Sequence, residues 1–398
     1  MTAADQDVAD RPAGQRPGPE PRLELPYLDG LRGVAALVVA LYHAYLSTGM
    51  RGDAYRDLGE LGAVLGYGYL GVPVFIVLSG YVLMLPVVRD PGLRLSGGAV
   101  GYLRRRARRI LPPYYAALLV SLLLIALVPA MQERSGTQWD TKLPVTPGGI
   151  ASHLLLLHDL RPDWIGQING PLWSIAVEWH IYFLMPLVLL PLWRRIPPGV
   201  VVAALLAATV LPPALGFARV SHVHPWLVAL FACGMLAAQA TVRTNWRLRG
   251  LRTTTWVLGA TGAFCLLLWW QPLHSRPWAS ETLAGVVVAC ALVLAGRRAQ
   301  SGAPPGGAVA FLQTRPVMLL GLASYSIYLL HSPLLALVNL LTVGWGLPTW
   351  GQYLLMTFGA VPLALAACAG FYWLVERRFK NTHQRSVTAQ PDPHHPPR

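Results

Sequence analysis

Stretches of about twenty apolar residues recur along the whole of this chain, and they constrain its fold more than any other feature. A helix rises 1.5 Å per residue, so about 20 such residues cross the ~30 Å hydrocarbon layer of a bilayer. Candidate spans are read at roughly 31–48, 69–88, 110–130, 172–193, 199–217, 224–241, 254–271, 279–296, 316–343 and 350–375. The ninth contains Pro333, so a kink or break is expected there. Only 13% of the residues are charged, against about 25% in a soluble domain. The expected class is an all-α polytopic membrane protein with about ten transmembrane helices, multi-pass in the cell membrane, whose solvent is the lipid bilayer.

The charge pattern orients these spans. The net charge is +14, which in other settings points to nucleic acid. Here the arginines sit at the ends of apolar stretches, so no nucleic-acid partner is expected. Arg104, Arg105, Arg106, Arg108 and Arg109 follow the second span, Arg194 and Arg195 the fourth, Arg243, Arg247, Arg249 and Arg252 the sixth, and Arg297, Arg298 and Arg315 the eighth. The alternate loops are poor in basic residues. By the positive-inside rule both termini are expected in the cytoplasm. Residues 1–24 and 381–398, rich in Pro and polar residues, read as disordered tails. Residues 25–380 read as one membrane domain. The long outer loop, about 131–171, is expected to fold against the membrane face. No cleavable signal peptide is evident. Cys233, Cys265, Cys290 and Cys368 lie in apolar stretches without metal-ligand spacing and read as small buried hydrophobes.

Within such spans a polar side chain is costly and marks a function or a specific partner. Arg32 and His43 are eleven residues apart, which returns them to within about 20° on one helix face, roughly 16 Å apart along the axis. In the fourth span Ser174, Glu178 and Tyr182 share a face. Glu178 is expected at the depth of His43, and together they form a candidate general-base pair, the carboxylate orienting the imidazole. His180 points away from that face and reads as an interface residue. Ser79 and Gly80 lie near the middle of the second span. The arginine run before Pro112 and Pro113 reads as a topology signal or as a polyanion site. Ser324, Tyr328 and His331 form a polar stripe on the ninth span. His222 and His224 lack a third ligand, so no metal is expected.

Several ordered stretches resemble the acyltransferase-3 family of integral-membrane O-acyltransferases. They are Arg32 and His43 following "LDGLRG", then "VFIVLSGYV", Arg106 and Arg109 before Pro112, "PLWSIAVEWHIYFLMPLVL", "SYSIYLLHSPLL" and "LVERRF". The resemblance covers about residues 25–380. "VFIVLSGYV" and "VERRF" depart slightly from the more usual "FFVLSGF" and "IERPF". The resemblance implies ten core helices and transfer of an acyl group, acetyl from acetyl-CoA in the first instance, to a hydroxyl of a sugar, glycan or glycosylated compound. No appended soluble hydrolase-like domain is read, which favours small glycosylated metabolites, macrolide-type compounds included, over cell-wall and surface polysaccharides. On this reading Arg32, Arg106 and Arg109 hold the acyl-CoA phosphates. Ser79, Tyr81 and Tyr328 line a polar passage, with Ser174 beside it. His43 is the base with Glu178 as its partner, and Ser79, Tyr328 or His331 supplies the oxyanion donor. The acceptor could arrive from either face. Two other classes remain open at this stage, a proton-coupled transporter or exporter and a non-catalytic sensor or scaffold.

Overall fold

The computed structural model describes residues 25–243, 253–269 and 276–380. The expected tails, the loop arginines Arg247, Arg249 and Arg252, and the end of the seventh stretch lie outside the described residues. Within them the chain is helical, without a strand, because backbone polar groups in lipid must be satisfied inside each segment.

The main helices are α1 (Tyr27–Leu46), α2 (Gly71–Arg89), α3 (Gly98–Leu127), α4 (Leu172–Leu184, continued to Arg195), α5 (Pro198–Ala214), α6 (Trp226–Val242), α7 (Thr253–Trp269), α8 (Pro277–Gln300), α9 (Ser324–Thr342) and α10 (Thr349–Leu354, continued to Leu374). One falls on each expected stretch. Seven of the helical spans among the described residues are long and apolar enough to cross a membrane, fewer than the expected ten. The difference has local causes. α1 is diluted by Asp29, Arg32 and His43, and α5 and α7 are 17 residues each. α4 and α10 each contain a π-helical turn, at Met185–Leu189 and Leu355–Ala360.

Three boundaries differ from expectation. α3 begins at Gly98, so the arginine run lies on the helix, and Pro112 and Pro113 fall in its interior. The ninth stretch breaks at Ala323, between a short helix Arg315–Leu322 and α9, while α9 continues through Pro333. Glu376 supports that break: its Oε2 accepts from the Ser326 N–H at 3.0 Å and from the Ser326 hydroxyl at 2.5 Å. These bonds satisfy an orphan donor in the first turn of α9. Lys380 donates to the Leu322 carbonyl at 2.5 Å across the same junction.

The packing centre is α2 against α6. A Cβ on Gly80 would lie 2.1 Å from the Phe231 carbonyl oxygen, and one on Gly234 would lie 2.1 Å from that of Val77. Glycine at both positions lets the two backbones touch, as small residues do in membrane bundles. α8 packs on both helices, and α1 packs on α2 and α9. The 131–171 segment folds into short helices over the end of the bundle away from the arginines. Asn169, fully buried, pins it by donating to the Leu329 carbonyl at 2.9 Å and to Ser121 at 3.1 Å.

Candidate active site

The arginine end follows from helix periodicity. Arg106 and Arg109 are one turn apart on α3 and face inward, while Arg104 and Arg108 are exposed. They line a cavity of about 600 Å³ at the bundle end, together with Arg94, Arg105, Tyr102 and Ser96. That cavity shares Val82, Leu83, Arg106 and Arg109 with a slot of about 80 Å³ running inward. Arg32, Ser79, Ser174, Glu178, Tyr182 and Tyr328 line the slot. Arg32, paired with Asp29 at 3.0 Å, therefore meets Arg106 and Arg109 from a helix distant in sequence. Three guanidiniums therefore concentrate positive charge around one entrance, an arrangement able to take a polyanion.

Glu178 belongs to this slot. Its Oε1 accepts from the Tyr182 hydroxyl at 2.5 Å and also from the Ser79 hydroxyl. The i, i+4 spacing with Tyr182 does what the sequence pattern implied. The expected pairing with His43 is not formed: the carboxylate is engaged within the slot, and His43 lines a different cavity. Helix rotation, which spacing alone does not fix between separate helices, turns Glu178 toward the arginines. Ser174 is bonded to the Tyr328 hydroxyl at 2.5 Å. Tyr81 departs from its expected place in the passage. It is fully buried between helices, its hydroxyl 3.1 Å from the Thr241 hydroxyl, because it follows Gly80 onto the α6 side of α2. His180 lies as expected away from this face, 3.3 Å from Asp159 of the 131–171 segment.

A second cavity of about 610 Å³ opens at the other end of the bundle. His43, Tyr42, Tyr69, Trp173, Lys142 and Glu281 are among its lining. His43 Nδ1 lies 2.9 Å from the Val39 carbonyl oxygen. A carbonyl only accepts, so Nδ1 carries the hydrogen and Nε2 holds the lone pair of the neutral ring. His331, one per cent exposed, packs edge-on against His43 at 4.7 Å between ring centres. Its own Nδ1 donates to the Ile327 carbonyl at 2.8 Å, and its Nε2 has no partner among the described residues. Both imidazoles thus keep the same tautomer. Burial, followed by nearby Arg51, brings the Lys142 ammonium down to about 8. His224 lines the same cavity and stacks on Trp173 at 4.1 Å.

Val72 and Tyr328 line both the slot and the second cavity, so they form the partition between them. The arrangement can hold an anionic, elongated molecule from the arginine end and bring its tip against a partition with a basic imidazole beyond it. No group of three or more potential metal ligands occurs among the described residues.

Glu281 was not apparent from the sequence. The eighth apolar stretch begins at about 279, so an acid at 281 reads as interfacial. Packing of Trp226 across it is what buries it, to 4% exposure.

Comparison with known proteins finds relatives for most of the described chain. A family model described as an acyltransferase domain, acyltransferase-3, matches residues 25–369. The chain is 28% identical over 180 residues to acyltransferase MdmB of Streptomyces mycarofaciens, covering 44% of this chain and 40% of that protein. It is 23% identical over 349 residues to O-acetyltransferase OatA of Staphylococcus aureus, covering 79% and 51%. It is 24% identical over 323 residues to nodulation protein 10 of Rhizobium leguminosarum bv. viciae, covering 75% and 80%. The matched region thus spans about half or less of the first two relatives. No solved structure matches the chain significantly.

Proposed function

This chain belongs to the acyltransferase-3 family, and from that premise we propose that it is an integral-membrane O-acyltransferase moving acetyl from acetyl-CoA to a hydroxyl of a sugar or glycosylated acceptor. The observation that carries the reading is the pair of cavities meeting at Tyr328, one entered past Arg32, Arg106 and Arg109 and the other holding His43. With both termini in the cytoplasm, the arginine cavity faces the compartment that supplies acyl-CoA. The nucleotide phosphates take the guanidiniums by charge-assisted hydrogen bonds. The pantetheine arm follows the slot, and the thioester reaches the partition.

The acceptor enters the aromatic cavity from the outer side. His43 Nε2 removes its hydroxyl proton as the oxygen attacks the thioester carbonyl. A C–O bond forms, the C–S bond breaks, and the proton passes to the departing thiolate. Of the expected oxyanion donors, Tyr328 fits best. The Ser79 hydrogen is committed to Glu178, and His331 Nε2 bears no hydrogen when neutral. The one Ser174 hydrogen goes either to the Pro171 carbonyl at 3.3 Å or to Tyr328, and Tyr328 keeps its own hydrogen for the oxyanion in the second arrangement. Glu178 holds Ser79 and Tyr182 in the slot wall and balances the arginine charge, a positioning role in place of the expected partnership with His43.

The test is transfer of labelled acetyl from acetyl-CoA by purified protein in lipid, with candidate glycosides. His43→Ala should lower kcat by about 10²- to 10⁴-fold. Arg106→Ala with Arg109→Ala should raise the apparent KM for acetyl-CoA. Full transfer by the His43 variant would remove the base assignment, and an unchanged KM would move the donor site elsewhere. A protein that moves a glycoside across the bilayer without acylating it would be a transporter.

A further inference from the structure

Glu281 stands in an unusual position for a carboxylate. It lies in the first turns of α8, nearly buried, on the wall of the cavity that holds His43. Its Oε2 accepts from the Trp226 indole N–H at 2.7 Å. No ion pair to it forms among the described residues. A buried carboxylate with one neutral donor is costly and is retained where something completes it. Its remaining oxygen, Oε1, has no hydrogen-bond donor among the described residues and is the one available to an occupant of the cavity.

The surroundings indicate which occupant. Ser280, the preceding residue, is 2.6 Å from the Tyr69 hydroxyl. Tyr69 meets Tyr42 edge-on at 6.2 Å, and Tyr42 meets His43 at 5.2 Å. Glu281 and the imidazole are therefore joined along one continuous wall. Lys142 lines the cavity too, without pairing to Glu281. The cavity thus offers an anionic acceptor, a cationic donor and aromatic faces, with little net charge. A neutral ring carrying several hydroxyls satisfies all three, since its hydroxyls donate to the carboxylate and accept from the ammonium while its C–H face lies on Trp or Tyr.

We infer that Glu281 is a specificity-determining residue: its Oε1 accepts hydrogen bonds from hydroxyls of a neutral polyhydroxylated acceptor and so selects which hydroxyl faces His43. This rests on the acyltransferase reading above for the reaction, but not for the binding.

Two arms separate them. In the first, binding of methyl pyranosides to the protein in nanodiscs, without donor, is followed by quenching of tryptophan fluorescence. Glu281→Gln preserves shape and can still accept from Trp226, yet it should weaken binding about 10- to 100-fold, as loss of a hydrogen bond to a charged group implies. Unchanged affinity, or no saturable binding by the wild type, overturns the proposal whatever the enzyme catalyses. In the second, transfer is measured with pyranosides and their monodeoxy analogues. The variant should lose discrimination against one deoxy analogue and raise the acceptor KM, with the acetyl-CoA KM held within about twofold. A donor KM that moves equally, or discrimination that persists, also overturns it. Absence of transfer by the wild type with binding intact refutes the acyltransferase reading alone.

Discussion

Tyr328 separates a structural from a catalytic role by magnitude. Tyr328→Phe removes one hydroxyl and leaves the ring, which is 5% exposed and packs edge-on against Phe75 at 5.5 Å. The substitution breaks the 2.5 Å hydrogen bond to Ser174. A neutral hydrogen bond of this kind contributes about 1 kcal/mol net to stability, so the variant should fold with only a small fall in melting temperature. If the hydroxyl meets the oxyanion, the same deletion costs about 2.7–4 kcal/mol in the transition state, or about 10²- to 10³-fold in kcat. KM for acetyl-CoA should hardly change, because the interaction strengthens only as charge develops. Ser174→Ala is the control. It breaks the same hydrogen bond but leaves the Tyr328 hydroxyl in place, so its kcat should fall far less. The assay is initial-rate transfer at saturating donor, with melting curves recorded on the same preparations. Equal losses in the two variants, or a Tyr328→Phe enzyme within about fivefold of wild type, would refute the assignment.

Two more predictions concern the scaffold. Gly80→Ala places a methyl 2.1 Å from the Phe231 carbonyl oxygen, so α2 and α6 must separate; a loss of about 1–3 kcal/mol is expected from overpacking, seen as a lower melting temperature together with a raised donor KM, because Ser79 moves with α2. A variant as stable as wild type would show that the two helices are not in such contact. Burial holds the His153 and His158 imidazoles, stacked at 3.8 Å, at about 4 and about 3. The unfolded chain takes up protons first as pH falls through 6.5, so stability is greatest above that value and declines toward about pH 3. Melting temperatures between pH 7.5 and 4.5 should fall and should fall less in His158→Phe, with Asp159 and His180 beside the pair unchanged; a flat profile would refute this.

Individual residues show how far the sequence reached. Arg32 and His43 lie at opposite ends of one helix as their spacing demands, since register within a helix is fixed by 100° per residue. Tyr182 reaches Glu178, four residues before it, for the same reason. Glu178 shows where this logic stops. The face it shares with Ser174 and Tyr182 was legible, but its partner depends on how α4 is turned against α2: its carboxylate went to Ser79 in the arginine-side slot, not to His43 at the depth expected for both. Tyr81, two positions from Ser79, was expected in the passage and lies instead against Thr241. The glycine between them marks the helix contact, and the sequence does not say which neighbour that contact meets.

Apolar length, arginine placement and within-helix spacing are local quantities, and they determined the all-helical membrane class and the common face on which Arg32 and His43 lie. The tertiary structure alone decided that three arginines from two helices surround one entrance, that Tyr328 and Val72 divide the interior, and that Glu281 is buried on the wall shared with His43. Those are relations between helices, set by interdigitation of side chains from segments up to hundreds of residues apart, and no periodicity within a single segment encodes them.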